Sequence, residues 1–184
     1  FILMITRRFS LINRLSVTQK LVLSFVFVII VGSILLSLPI SHYANSPETS
    51  YLDHLFNTVS MVCVTGLSVV PVSKAYNGLG QILSMLLMQT GGLGLVSLIA
   101  FSTYTLKNKL GLSDQDLLQS ALSRDNQKDL KAYLFMVYKI TFSIEALAAL
   151  VIMTDFIPRF GLGHGIFNSL FLAVSAFCNA GFDN

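Results

Sequence analysis

The chain has 184 residues, of which 54% are hydrophobic and only 11% are charged, and its formal net charge is +3. An ordinary soluble domain carries roughly 25% charged residues, so this chain has too little charge to cover a soluble globule. The same composition excludes a disordered chain, and two cysteines exclude a disulfide scaffold. The few scattered basic residues give nucleic-acid binding little support. The sequence therefore predicts an integral membrane protein.

Three long apolar runs are predicted to span the membrane. Leu21–Leu38 is uncharged and ends at Pro39. As a helix it would extend about 27 Å, close to a hydrocarbon core of about 30 Å. Ile82–Leu106 contains three glycines, which we interpret as points of close helix packing rather than a hinge, and Ala132–Met153 is the third run. The alternative for the first run is a signal peptide, but the run is longer than a usual signal core and no small-x-small site follows it.

Two further apolar segments are too short to cross. Tyr51–Val62 and Phe167–Phe177 would each reach about half the bilayer as helices. Half-spanning segments are tolerated at membrane depth only inside protein or beside a water-filled cavity. These segments therefore point to a pore.

The charge distribution predicts the orientation. Basic residues cluster before the first span and outnumber acidic residues in the loop 107–131, whereas acidic residues prevail in the linkers on the opposite side. The positive-inside rule then places the N-terminus and this loop in the cytoplasm, with both short segments entering from outside. Segment 1–20 mixes basic and apolar residues and is predicted to lie at the inner membrane interface.

The two short segments form an internal repeat at a constant offset of 115 residues. The pattern predicts a unit of span, half-length helix, glycine turn and span, with a first copy over 21–106 and a second copy over 132–184 that stops before its closing span. Two copies cannot close a ring, so we expect the chain to be one piece of a longer protein. The matched residues are Phe56, Val59, Ser60, Cys63 and Gly66 in the first copy and Phe171, Val174, Ser175, Cys178 and Gly181 in the second.

The glycine turns suit a cation filter built from backbone carbonyls, because glycine adopts the required conformations without penalty. The predicted filter strands are Val64, Thr65, Gly66 and Leu67, and Asn179, Ala180, Gly181 and Phe182. The half-length helices would end just before them and direct their negative dipole ends at the ion, and Ser50 with Asp53 would cap the first of these helices. The alternative is that each glycine only terminates its helix as a C-cap.

Three motifs give the sequence a resemblance to the membrane subunits, of the KtrB or TrkH type, in the Trk/Ktr/HKT potassium transporter family, over nearly all of 20–184. The motifs are Phe56-Asn57 through Val64-Thr65-Gly66-Leu67, then Met88-Gln89-Thr90-Gly91-Gly92-Leu93-Gly94, and Ser175-Ala176-Phe177-Cys178-Asn179-Ala180-Gly181-Phe182.

The resemblance implies an all-α membrane protein with four M1-P-M2 repeats around one potassium pathway. Each repeat would contribute one filter strand with one key glycine, here Gly66 and Gly181. It also implies a homodimer in the cell membrane, seated on a cytosolic nucleotide-binding regulatory subunit of the KtrA/TrkA type. Potassium uptake in this family is often sodium-dependent.

Several other residues invite a functional interpretation. Glu145 lies near the middle of the third run and is predicted to face protein and form a structural hydrogen bond between repeats, whereas Lys139 lies nearer the cytoplasmic end and can extend its amine to the interface. Cys63 and Cys178 are interpreted as packing residues. The three histidines, His42, His54 and His164, lack ligand spacing, so no metal site is predicted beyond potassium at the filter.

The sequence carries no nucleophile, metal cluster or phosphate-binding loop, so an enzyme is not predicted. The leading interpretation is a subunit that translocates potassium by carbonyl coordination. The alternative is a non-conducting membrane anchor or assembly subunit whose re-entrant loops are only structural.

Overall fold

The computed structural model describes residues 17–94 and 127–184, and these residues are mostly helical, as predicted for an all-α membrane protein. The predictions for residues 1–16 and 95–126, including most of the cytoplasmic loop, lie outside the described residues. The helices are α1 (Val17–Ser37), α2 (Tyr51–Val62), α3 (Val72–Ala75), α4 (Gly78–Gly92), α5 (Gln127–Phe160) and α6 (Leu162–Phe177), with a 3₁₀ turn at Pro39–Ser41.

The chain divides into two compact units. One consists of residues 1–26 and 95–136, and the other of residues 27–94 and 137–184. Every side-chain contact described below lies within the second unit. In that unit α4 is central, because it packs against both α2 and α6.

Among the described residues, one helical stretch, Leu134–Phe160, is long and apolar enough to cross a membrane. Val22–Ser37 and Leu162–Phe177 are shorter apolar helices. Large apolar side chains on the outer faces of the long helices are exposed, for example Phe27 at 67% and Val151 at 70%. Such a surface suits contact with lipid rather than water, since soluble monomers rarely expose large contiguous apolar patches.

The helix bounds differ from the predicted segments in the second copy. α5 begins at Gln127, within the predicted loop 107–131, and α6 begins at Leu162 rather than at Phe167. The predicted external linker before the second short segment is wrong, because Gly161, with φ +81°, is the only residue between the two helices. At Gly165 an added Cβ would lie 2.8 Å from the Cα of Ile157, so the missing side chain lets α6 fold back closely on α5. α6 still extends only about 24 Å.

The first short segment has the predicted bounds and the predicted cap. α2 runs over Tyr51–Val62, and the backbone N–H and the hydroxyl of Ser50 both donate to Asp53 Oδ2, at 2.8 and 3.0 Å. This contact satisfies a backbone donor that the first helical turn leaves without a partner. α4 begins at Gly78, four residues before the predicted span, where Asn77 Oδ1 accepts from the backbone N–H groups of Leu79 and Gly80.

Candidate functional site

The loops that follow α2 and α6 have the same backbone geometry. Each helix ends in a Schellman turn, in which the second residue after the last helical residue adopts a left-handed conformation, with φ 56° at Val64 and 52° at Asn179. The next N–H closes the turn, with Thr65 N donating to Ser60 O at 2.9 Å and Ala180 N donating to Ser175 O at 2.8 Å. The contacts therefore recur at the offset of 115 residues found in the sequence.

The two glycines lie beyond these turns. Val64 and Asn179 are the residues that end the helices in the left-handed conformation, so the interpretation of Gly66 and Gly181 as C-caps is wrong. Gly66 and Gly181 nevertheless have φ values of 78° and 69°, which L side chains rarely adopt. Their conformation must serve the loop itself rather than the end of the helix.

A serine in each helix fixes the residue after the glycine. The hydroxyl oxygen of Ser60 accepts from the N–H of Leu67 at 2.9 Å, and that of Ser175 accepts from the N–H of Phe182 at the same distance. The hydroxyl of Ser175 also donates to the carbonyl of Phe182 at 2.6 Å. Both serines belong to the repeated pattern, but the pattern alone did not indicate this contact.

The two loops meet at their glycines. A Cβ placed on Gly66 would lie 3.1 Å from the carbonyl oxygen of Ala180, and one placed on Gly181 would lie 3.3 Å from the Cα of Gly66. At both positions the backbones therefore approach too closely for a side chain without local adjustment. Two loops that lie 115 residues apart in the sequence are therefore in close backbone contact at Gly66 and Gly181.

The other predicted filter residues differ in exposure between the two loops. In the first loop Leu67 is 59% exposed, and Thr65 is also exposed. In the second loop Ala180 and Phe182 are buried, with Phe182 only 4% exposed. The repeat thus holds for the backbone and not for the burial of the side chains.

Helix α4 holds the C-terminal ends of both short helices. A Cβ on Gly91 would overlap the carbonyl oxygen of Val62 at the end of α2, and one on Gly92 would lie 2.5 Å from the Sγ of Cys178 after α6. The predicted role of the glycines of this run in close helix packing is confirmed for Gly91 and Gly92. It is wrong for Gly94, which follows the end of α4 at φ 77° and where an added Cβ would have no atom within 4 Å. Cys178 is buried as expected of a packing residue, whereas the matching Cys63 is exposed.

Two ionisable residues of α5, Glu145 and Lys139, differ in exposure. Glu145 is only 6% exposed, and its Oε1 accepts from Gln89 Nε2 of α4 at 2.8 Å, so the prediction that Glu145 faces protein and forms a structural hydrogen bond is confirmed. Lys139 is exposed. The partner of Glu145 was not predictable, because no pattern in the sequence pairs α4 with α5.

Two of the three histidines meet near the beginning of α2. The rings of His42 and His54 lie 4.7 Å apart in an edge-to-face arrangement. His54 is hydrogen-bonded to the hydroxyls of Tyr76 and Thr49, at 2.9 and 3.0 Å, and His42 Nε2 donates to the carbonyl of Leu36 at 2.7 Å. His42 and His54 are 12 residues apart and Tyr76 is 22 residues after His54, so sequence spacing did not reveal the cluster. His164 lies on α6 as an exposed residue.

The chain is similar to known cation transport proteins over most of its length. A family model for TrkH, described as a cation transport protein, matches residues 8–184. The chain belongs to the TrkH family. This is a family of membrane cation transporters and not of enzymes.

Individual relatives support the same assignment. The chain is 37% identical over 169 residues to Ktr system potassium uptake protein B of Bacillus subtilis and 36% identical over 172 residues to potassium/sodium uptake protein NtpJ of Enterococcus hirae. It is 35% identical over 162 residues to the Ktr system potassium uptake protein B of Vibrio alginolyticus. These matches cover 92%, 93% and 88% of this TrkH-family chain but only 37%, 38% and 35% of the relatives. The chain therefore spans little more than a third of their length.

Proposed function

We propose that this TrkH-family chain forms part of the potassium pathway of a Ktr/Trk-type uptake system. The observation that carries the proposal is the meeting of two loops of equal backbone geometry at Gly66 and Gly181. The relatives named for potassium uptake, and one named for potassium and sodium uptake, indicate which ions to consider. Potassium is the transported ion. Sodium is either excluded by the filter or coupled to potassium uptake.

The pathway uses backbone groups rather than side-chain chemistry. In this proposal α1, α2 and α4 are the M1, P and M2 elements of a first repeat, and α5 and α6 are M1 and P of a second. Carbonyl oxygens of residues 64–67 and 179–182 replace part of the hydration shell of the ion. The C-terminal ends of α2 and α6 precede these strands, so their negative dipole ends favour a cation. No bond is made or broken.

The surrounding assembly follows from the same proposal. The chain lies in the cell membrane with a cytoplasmic N-terminus, as part of a multi-pass protein whose remaining repeats complete the ring. The name of the Bacillus subtilis and Vibrio alginolyticus relatives refers to a Ktr system. We propose a homodimer that binds a cytosolic nucleotide-binding regulatory subunit.

Ion flux tests the proposal. The full-length protein in liposomes is expected to pass potassium or rubidium down a gradient, and to pass sodium more slowly. A folded preparation without flux would contradict the proposal and favour a non-conducting anchor.

Substitutions at the meeting point identify the pathway. Gly66→Ser and Gly181→Ser each force a side chain onto a left-handed residue at a cost of roughly 1–2 kcal/mol, and each added Cβ pushes the facing loop away. We expect the potassium-to-sodium permeability ratio to fall by about tenfold. Gly78→Ser is the matched control, because no atom lies within 4 Å of a Cβ there. A parental ratio in both filter variants would contradict the assignment of these strands.

A further inference from the structure

Three side chains, Glu145, Gln89 and Cys178, are joined by hydrogen bonds next to the start of the second loop. Glu145 Oε1 of α5 accepts from Gln89 Nε2 of α4 at 2.8 Å, and Gln89 Oε1 accepts from the thiol of Cys178 at 3.5 Å. Glu145 and Cys178 are 6% and 3% exposed. The two ends of one amide group therefore connect a buried carboxyl group to the residue that caps α6.

Burial of the Glu145 carboxyl group costs free energy, which suggests a functional reason for its position. A carboxyl group in the middle of a membrane helix is expensive to bury, and such residues are rare. The neighbours of Glu145 on α5 are exposed apolar residues, with Ile144 at 47% and Leu147 at 63%. Glu145 and Thr141 are the buried polar or charged residues of α5 among the described residues, and Glu145 is the ionisable one of the two. The group that Glu145 contacts is the Gln89 amide.

This series of hydrogen bonds ends at Cys178, the residue just before the predicted filter strand. Cys178 caps α6, and the next residue, Asn179, has the left-handed conformation that turns the backbone toward Gly181. Gly92, less than one turn after Gln89 on α4, packs against the same thiol, where an added Cβ would lie 2.5 Å from Sγ. α4 therefore holds the Cys178–Asn179 turn at two points, one by a hydrogen bond and one by close packing.

The matching turn of the first loop is not held in this way. Cys63 occupies the equivalent position and is exposed, whereas Cys178 is buried. At the end of α2 it is the carbonyl of Val62, and not the cysteine, that packs against α4, through Gly91. The Glu145–Gln89–Cys178 chain is thus specific to the second loop among the described residues.

We propose that Gln89 and Glu145 are positioning residues that set ion selectivity by holding the second filter strand through Cys178, without contacting the ion. Glu145 fixes the orientation of the Gln89 amide, and Gln89 fixes the cap from which the strand begins. This inference rests on the proposed function. Loosening the cap would let the strand adapt its carbonyl positions to a smaller ion, so potassium would lose its advantage over sodium.

The test replaces both polar partners together. In the full-length protein, the double variant Gln89→Leu/Glu145→Leu removes the contact without leaving a buried polar group unpaired, a change that is often close to neutral for stability. We expect the variant to fold and conduct, with a potassium-to-sodium permeability ratio lower by about tenfold. The ratio comes from reversal potentials in liposomes with potassium and sodium gradients, so it does not depend on the amount of folded protein.

Two further comparisons separate positioning from general structure. Glu145→Gln keeps an oxygen that accepts from Gln89 Nε2, so it is expected to retain the parental ratio. Cys178→Ala removes the thiol donor and is expected to lower the ratio, whereas Cys63→Ala is the matched control at the equivalent position and is expected to leave it unchanged.

Each outcome bears on a definite claim. Absence of flux from the folded parent protein would overturn the proposed function itself. A parent that conducts, together with a double variant of parental ratio, would overturn the positioning role alone. If the double variant does not fold, the cysteine pair decides, because equal ratios for Cys178→Ala and Cys63→Ala would overturn the inference and a lower ratio for Cys178→Ala alone would support it.

Discussion

Val64 and Asn179 occupy the same left-handed position in two equivalent turns, but they differ in how well they suit it. Asparagine is enriched at positive φ because its short polar side chain can form a hydrogen bond with the nearby backbone, whereas a β-branched residue such as valine is an outlier there. The φ values are 56° and 52°, so the backbone demands the same conformation from both. The first loop therefore carries strain that the second loop largely avoids.

A reciprocal exchange tests this difference. Val64→Asn is expected to raise the free energy of unfolding by about 1 kcal/mol, and Asn179→Val to lower it by a similar amount. Thermal unfolding of the full-length protein in detergent measures both changes under one condition. Shifts of the same sign would show that conformational strain is not what distinguishes the two residues.

His54 is buried in a polar cluster, and two of its neighbours, His42 and Asp53, act on its pKa. Its ring contacts His42 and is hydrogen-bonded to Tyr76 and Thr49, and Asp53 precedes it in the first turn of α2. Burial and, secondarily, the nearby His42 lower the pKa of His54 from its ordinary value of 6.5, while Asp53 opposes this shift. The neutral ring is therefore the form that the folded protein accommodates.

Acidification should weaken this part of the fold. Below about pH 6.5 the unfolded chain binds a proton that folded His54 resists, so stability present at neutral pH is lost as the pH falls. We expect the unfolding temperature to drop between about pH 7.5 and pH 5.5. His54→Gln should reduce this dependence, and the exposed His164→Gln should not. Equal pH profiles for the two variants would contradict the role of burial.

The packing of α4 depends on two glycines that contact different helices. Gly92→Ala is expected to lower the free energy of unfolding by about 1–3 kcal/mol, because its Cβ would lie 2.5 Å from the buried Sγ of Cys178. Gly163→Ala on α6 is the matched control, since no atom lies within 4 Å of a Cβ there, and it should be neutral or slightly stabilising. Denaturation of the full-length protein in detergent measures both, and equal effects would contradict the packing argument.

The helices show which features are encoded locally. The bounds of α2 were predictable because its length, apolar face and Ser50–Asp53 cap all lie within one short stretch. The start of α6 was not predictable, because Gly163 and Gly165 near its beginning resemble a linker. Of these two glycines, Gly165 approaches Ile157 closely, a contact that lies outside the local pattern. Local composition cannot reveal a close backbone approach that a glycine permits between two helices.

The candidate site was predictable in its backbone and not in its side chains. The offset of 115 residues identified Gly66 and Gly181, and the structure brings these two residues together. Gln89 and the pairing of His42 with His54 had no such signal, because each depends on which helix or linker packs against which. Periodicity and repetition specify elements, whereas contacts between elements distant in sequence require the fold.

Across the molecule, the loops after α2 and α6 share one backbone geometry, but their side chains differ in exposure. The same turns and the same serine contacts occur in both loops, yet Leu67 is exposed where Phe182 is buried, and Cys63 is exposed where Cys178 is buried. A family whose relatives are almost three times longer has room for further elements around the first loop. In the proposed ring, those elements would cover the exposed positions of residues 63–69.

Because Gly66 and Gly181 are encoded separately in one polypeptide, a single codon change alters only one wall of their meeting point. An assembly of identical subunits would receive the same alteration on every side at once. Here the loop that contains one glycine can change by mutation while the loop that contains the other keeps its backbone geometry. In the proposed filter, a substitution at one glycine would therefore change the ion affinity in a small step, because it alters only part of the set of coordinating oxygens.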